Sequence, residues 1–175
     1  DHPQPHMIPS AEIFAEKVST LGISNDDDLI IFDSRGMAFA AARVWWLFRL
    51  FGHEKVSILN GGMPAFIDAG STETDINTNP ESSIFSPAYN KELIKKIEEI
   101  KSNTTEQNFQ LIDARDAQRF SGAIKDPIHN VPSGHIPQSC NLFFMDLIDQ
   151  STGCLHTTDI LKAKIDALNL DMTRP

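Results

Sequence analysis

The apolar positions of this chain alternate between helical spacing and short continuous runs. From Ser10 to Leu21, Ile13, Phe14, Val18 and Leu21 fall on one face. That spacing predicts a helix with Ser10 as its N-cap and Gly22 as its stop. After the solvated stretch Asp26-Asp27-Asp28, the run Leu29–Phe32 reads as a buried strand. A second helix follows over Ala40–Phe51, ended by Gly52, and a second strand over Lys55–Leu59. Asn60-Gly61-Gly62 then forms a tight turn into a short helix, Met63–Ala69, closed by Gly70. Strand, helix, strand and helix at these lengths imply an α/β fold, a parallel sheet covered by helices.

Residues 71–88 are polar, carry two prolines and show no period, so the stretch 71–90 reads as a linker. Beyond it, Leu93, Ile94, Ile97 and Ile100 form one stripe on a charged helix over Lys91–Lys101. Phe109–Asp113 reads as a strand, Asp116–Phe120 as a short helix and Cys140–Phe144 as another strand. Thr157-Thr158 cap a last helix, Asp159–Leu168.

Composition narrows the function. A chain of 175 residues with 41% hydrophobic positions has room for one core or for parts of two small domains. A formal charge of −9 argues against sequence-independent nucleic-acid binding. No apolar run reaches the roughly 18–20 residues that span a bilayer, so no membrane association is expected. Cys140 and Cys154 are too few for a zinc set or a disulfide scaffold, and a cytoplasmic, reducing compartment is the expectation. No metal site is expected: the three aspartates have no further ligand at a suitable spacing, and Pro3 and Pro5 forbid the helix that would align His2 with His6. Asn103-Thr104-Thr105 is formally a glycosylation sequon, read as unused because no secretory signal accompanies it. No G-x-G-x-x-G or Walker-type loop occurs, so Gly61-Gly62 is read as a turn.

The densest chemistry lies in Leu111–Phe144, "LIDARDAQRF…SGHIPQSCNLFF". Asp113, Arg115, Arg119, Phe120, Gly134, His135, Ile136, Pro137 and Asn141, in this order, resemble a signature of the rhodanese family, specifically the second domain of tandem-domain sulfurtransferases. "PHMIPSAEIFAEKVSTLGI" and "ARVWWLFRLFGHEKVSILNGG" resemble the later portion of the first, non-catalytic domain of thiosulfate and 3-mercaptopyruvate sulfurtransferases. Asp33 lies where a catalytic domain places its cysteine loop, and no cysteine stands there. The resemblance implies a rhodanese-like parallel sheet flanked by helices, in portions of two tandem domains. Residues 1–70 would be the later part of an inactive domain, 71–90 the linker, and 91–175 the early part of a catalytic one.

The reaction implied by this resemblance is a two-step sulfur transfer. A cysteine thiolate takes a sulfane sulfur from a small anionic donor, thiosulfate or 3-mercaptopyruvate, and passes it as a persulfide to a thiol or cyanide. No cofactor is needed. The thiol needs a lowered pKa, and the donor needs a cation. Arg119 matches the family's substrate-binding arginine; its bland reading is an ion pair with Asp116 at i,i+3. Arg115 is a second substrate-binding candidate, although a bridge to Asp113 or to the Gly134-His135 turn would make it structural. His6 matches a histidine brought toward the interdomain cleft in mercaptopyruvate-type members. His135 could carry a proton, or pin its turn. Asp113, Gly134, His135, Pro137 and Asn141 are read as the structural motif. Mercaptopyruvate-type members carry a second arginine nine residues after the first; here that position is Ile128, with Lys125 nearby. The choice of donor stays open.

Cys140 reads as a buried, inert thiol and Cys154 as a turn residue, so neither is expected to be the nucleophile. In the family that cysteine lies just after the strand expected beyond Pro175, and the 175-residue chain alone is expected to be inactive. Two explanations compete for such a chain. It is part of a longer protein, or its halves pair as one permuted domain, within the chain or as a swapped homodimer. A non-catalytic rhodanese-like module that binds an anionic partner through Arg119 is the alternative function.

Overall fold

The computed structural model describes residues 7–37, 39–74, 76, 78–125 and 132–175. Two compact units divide the chain. The first holds residues up to Ile94 together with Thr152–Cys154; the second holds Lys95–Ser151 and Leu155–Pro175.

The first unit begins with helix α1, Ala11–Thr20, where Ser10 accepts a hydrogen bond from the Ile13 amide, as its N-cap role requires. Strand β1, Leu29–Ile31, leads into α2, Phe39–Leu50, and returns as β2, Val56–Ile58. The strands pair in parallel with Ile30 opposite Ser57. Helix α2 stops where Gly52 takes a φ of 84°. There the His53 amide bonds the Phe48 carbonyl and the Gly52 amide bonds that of Arg49, which closes the helix end. Helix α3, Gly62–Asp68, completes the unit's regular structure.

Its core is aromatic. Phe14 stacks on Phe51 with ring centres 4.4 Å apart and meets Phe48 edge-on at 5.2 Å. Leu50, Val18 and Val56 fill the remaining space. Phe85, from the stretch read as a linker, is only 3% exposed and joins this core. The Ala88 and Asn90 amides bond the Phe51 and Leu50 carbonyls, and Asn25 exchanges hydrogen bonds with the Ser86 backbone. Residues 83–90 are thus an extended strap on the first unit rather than a free linker. The backbone polar groups of a segment without regular structure are satisfied by what lies beneath it.

A 3-10 turn at Lys91–Leu93 ends the main stretch of the first unit, and in the second α4 runs Ile97–Glu106. The continuous helix expected over Lys91–Lys101 does not form. Ile94 is extended, and the Glu99 carboxylate accepts the Lys96 amide at 2.8 Å, starting a new helix at Ile97. Strand β3, Leu111–Asp113, pairs in parallel with β4, Ser139–Asn141, and α5, Ala117–Ser121, lies between them in sequence. A 3-10 turn, Phe144–Leu147, replaces the end of the strand expected over Cys140–Phe144, and α6 spans Thr158–Asp166. Asn103 is 2% exposed, and its amide brackets Phe109 from both sides, donating to the carbonyl at 2.8 Å and accepting the backbone amide at 3.0 Å. The sequon asparagine is a structural lock.

Strands β1 and β2 form one sheet, and β3 and β4 another. The pairing of the two halves into one permuted domain within the chain is therefore overturned: β1 has β2 as its partner, not β3. Each small sheet leaves apolar side chains in the open, Ile30 at 68% and Ile112 at 50% exposure. No helix among the described residues is long and apolar enough to cross a membrane.

Candidate functional site

In the second unit, Asp113, Arg115, Asp116 and Arg119 follow one another at and just beyond the carboxyl end of β3. Asp113 ends the strand, and the chain must then turn away from the sheet. Arg115 folds back over it: Nε lies 3.0 Å from Asp113 Oδ1 and Nη2 lies 2.6 Å from Oδ2. The backbone amide of Arg115 also donates to Oδ1, at 3.0 Å. This fork of charge-assisted bonds holds the Asp113 carboxyl below the usual carboxylate range, with the side-chain bonds from Arg115 as the main cause. Nη2 reaches on to the Gly134 carbonyl at 2.8 Å. Arg115 therefore joins the strand end to the Gly134 turn, the bridge anticipated for its structural reading.

Asn141 closes the same corner from β4. Its Nδ2 donates to the carbonyls of Asp113, at 2.9 Å, and Arg115, at 2.7 Å. Gly134 adopts a φ of 101°, where a side chain would be strained. His135 follows it, with Nδ1 2.7 Å from the Phe120 carbonyl. A carbonyl only accepts, so Nδ1 is the donor in this contact. The imidazole also stacks on the Phe120 ring, centres 3.8 Å apart and planes 13° from parallel. Nothing in the sequence pairs these two rings fifteen positions apart. Pro137 is exposed and faces the same groove as Gly134 and His135. Asp113, Arg115, Gly134, His135 and Ile112 line a groove of about 780 Å³.

Arg119 sits on α5, the short helix between these elements. Asp116 caps that helix, with Oδ1 accepting the amides of Gln118 at 3.1 Å and Arg119 at 3.0 Å. Its other oxygen, Oδ2, lies 3.3 Å from Arg119 Nε. This is an ion-pair distance, but the geometry is out of line for a hydrogen bond, and Nε is sealed from solvent without an acceptor. The Arg119 side chain as a whole is 29% exposed. Lys125 is exposed. His6 and Ile128 lie outside the described residues.

The two thiols have different settings, and both are half-buried. Cys140, in β4, directs its sulfur at the Leu111 carbonyl, 3.4 Å away. Cys154 packs so closely on Gly61 that a Cβ added there would stand 2.7 Å from the sulfur. In the first unit, the loop after β1 has an occupant of its own. Asp33 Oδ1 accepts the amides of Arg35 at 3.1 Å and Gly36 at 2.9 Å, while the Asp33 carbonyl accepts from Met63. A side-chain carboxylate thus takes up the backbone amides of the loop in which the resemblance would place a cysteine.

The family description "Rhodanese-like domain" matches residues 1–69. Bovine thiosulfate sulfurtransferase is 37% identical over 171 residues, covering 97% of this chain and 57% of that protein. The 3-mercaptopyruvate sulfurtransferase of Escherichia coli is 38% identical over 171 residues, covering 93% of this chain and 58% of its own length. Residues 1–69 thus match the rhodanese family, and nearly the whole chain is similar to these sulfurtransferases. The solved structure of SseA from Escherichia coli, described as a 3-mercaptopyruvate sulfotransferase with the rhodanese fold, superposes with a TM-score of 0.85 at 34% identity. The match covers 99% of this chain and 64% of that one. The chain thus spans under two thirds of the length of these relatives.

Proposed function

We propose that this chain forms part of a sulfurtransferase and supplies the group that holds its anionic sulfur donor. The observation carrying this reading is Arg119. Its family position is matched, and its Nε is sealed, so an anion arriving from solution can meet only the two terminal guanidinium nitrogens. Arg115, the other candidate, is committed to Asp113 and Gly134, which supports a role in shaping the site rather than in binding donor. His135 is committed to Phe120 in the same way and serves as a turn clamp.

The nucleophile is supplied from outside these 175 residues. Cys140 lies within a strand and Cys154 against a glycine, and among the described residues no backbone amide donates to either sulfur, as stabilising a thiolate would require. In the reaction, a thiolate attacks the donor's outer sulfur. The bond between that sulfur and the rest of the donor breaks, and the departing fragment, sulfite from thiosulfate or the enolate of pyruvate from 3-mercaptopyruvate, leaves with the electron pair. Cyanide or a thiol then takes the sulfur from the persulfide and regenerates the thiolate. Arg119 holds the donor's sulfonate or carboxylate throughout.

The test is steady-state sulfur transfer to cyanide by the polypeptide that unites this chain with its cysteine, comparing wild type with Arg119→Gln. A loss of roughly a hundredfold in kcat/KM, largely through KM, is expected for removal of a charge-assisted donor contact. Unchanged kinetics would refute the assignment. Transfer absent from a folded wild-type polypeptide would instead favour the non-catalytic module that binds anions through the same arginine.

A further inference from the structure

Asp116 occupies an unusual position for a site that must attract anions. One of its oxygens is bound to the two amides that begin α5, so the carboxylate is fixed by the backbone rather than free to swing away. The other is thereby held 3.3 Å from Arg119 Nε. The Asp116 side chain is 32% exposed, so solvent and salt screen its charge only in part. The remaining charges of this corner are paired: Asp113 and Arg115 form a closed fork. A donor that reaches Arg119 therefore meets a cation whose charge is largely offset by a rigid neighbour.

We propose that Asp116 is a specificity-determining residue that tunes Arg119 toward singly charged sulfur donors and against doubly charged ones. The inference rests on Arg119 being the donor-binding cation. Thiosulfate carries two negative charges and 3-mercaptopyruvate carries one on its carboxylate. A fixed negative charge beside the binding group repels each in proportion to its charge. On a logarithmic scale the penalty for the dianion is twice that for the monoanion. Asp116 thus selects the carboxylate class, 3-mercaptopyruvate and similar thiol-bearing monoanions, and does so without touching the donor.

That doubling is the experimental signature. The Arg119 Nε–H correlation of the isotopically labelled chain is followed while thiosulfate or 3-mercaptopyruvate is added, in wild type and in Asp116→Asn. Asparagine retains the N-cap and loses the charge. Asp116→Ser, a second neutral cap, must reproduce the result and separates charge from the fit of one side chain. Both variants are expected to bind 3-mercaptopyruvate roughly threefold more tightly and thiosulfate roughly tenfold more tightly, the square of the first gain. Equal gains for the two anions, or no gain, with Arg119 still responding to donor, would overturn the role of Asp116 and leave the arginine's role standing. No response of Arg119 to either anion in any of the three proteins would overturn both.

Discussion

Replacing Arg115 with methionine keeps much of the side chain's bulk and the backbone bond to Asp113, and removes every side-chain bond to Asp113 and Gly134. The Asp113 side chain is 14% exposed and that of Arg115 31%, so the pair is neither a surface bridge nor a fully buried one. Loss of a charge-assisted fork, with a mostly enclosed carboxylate left behind, costs about 2 kcal/mol for such a setting. That corresponds to roughly thirtyfold faster opening of β3 and the Gly134 turn. The assay is amide hydrogen exchange on residues 109–115 and 132–137, which reads this corner residue by residue, and no tryptophan lies in the second unit. Asp113→Asn with Arg115→Met should cost less than the two single changes added together, by about 1–2 kcal/mol, since the double variant leaves no orphaned charge. The sign of the pH dependence is fixed by the lowered Asp113 pKa. The pair's contribution is complete above the ordinary aspartate value of about 4 and is lost as pH falls through the lower folded value, so wild type and Arg115→Met converge in acid. Exchange of residues 111–113 unchanged in Arg115→Met, or strict additivity of the double variant, would refute this account.

Three further outcomes follow from the packing. Phe85→Ala should destabilise the first unit by about 3–4 kcal/mol in urea titrations read by tryptophan fluorescence, the cost of emptying an aromatic core site; a change near zero would return residues 83–90 to the status of a linker. Gly52→Ala places a Cβ 2.7 Å from the Ala88 carbonyl at a φ of 84°, and should cost about 1–2 kcal/mol while speeding proteolysis within 80–90. Asn103→Ala should cost about 2–3 kcal/mol through the two unpaired backbone groups at Phe109, and the wild-type chain expressed in a glycosylating host should show no glycan mass at this residue.

Where a local rule and the tertiary fold agreed, the sequence could be read directly. Helices α1 and α2 came from their apolar spacing, with Ser10 and Gly52 marking a start and a stop, and both residues do that work in the structure. Arg115 was legible because an arginine two residues after a strand-end aspartate can fold back onto it. The break before α4 was not, because the apolar stripe runs straight through it and the deciding bond is the Glu99 carboxylate on the Lys96 amide. Phe85 was hidden by composition: one aromatic among serines and prolines reads as linker, yet a single ring is enough to anchor an extended strap in an aromatic core. The stacking of His135 on Phe120 and the turn that Asp33 makes with its own loop depend on how the chain returns in space, which spacing alone does not encode.

On the function proposed above, Arg119 holds the donor while the sulfur chemistry belongs to a cysteine outside these 175 residues. The most direct measurement is one titration of the 175-residue chain with thiosulfate and with 3-mercaptopyruvate, reading binding by calorimetry and bound sulfur by intact mass in the same samples. Saturable binding that disappears in Arg119→Gln is expected, with no sulfur added to Cys140 or Cys154. Binding that survives Arg119→Gln, or a persulfide on either thiol, would contradict it.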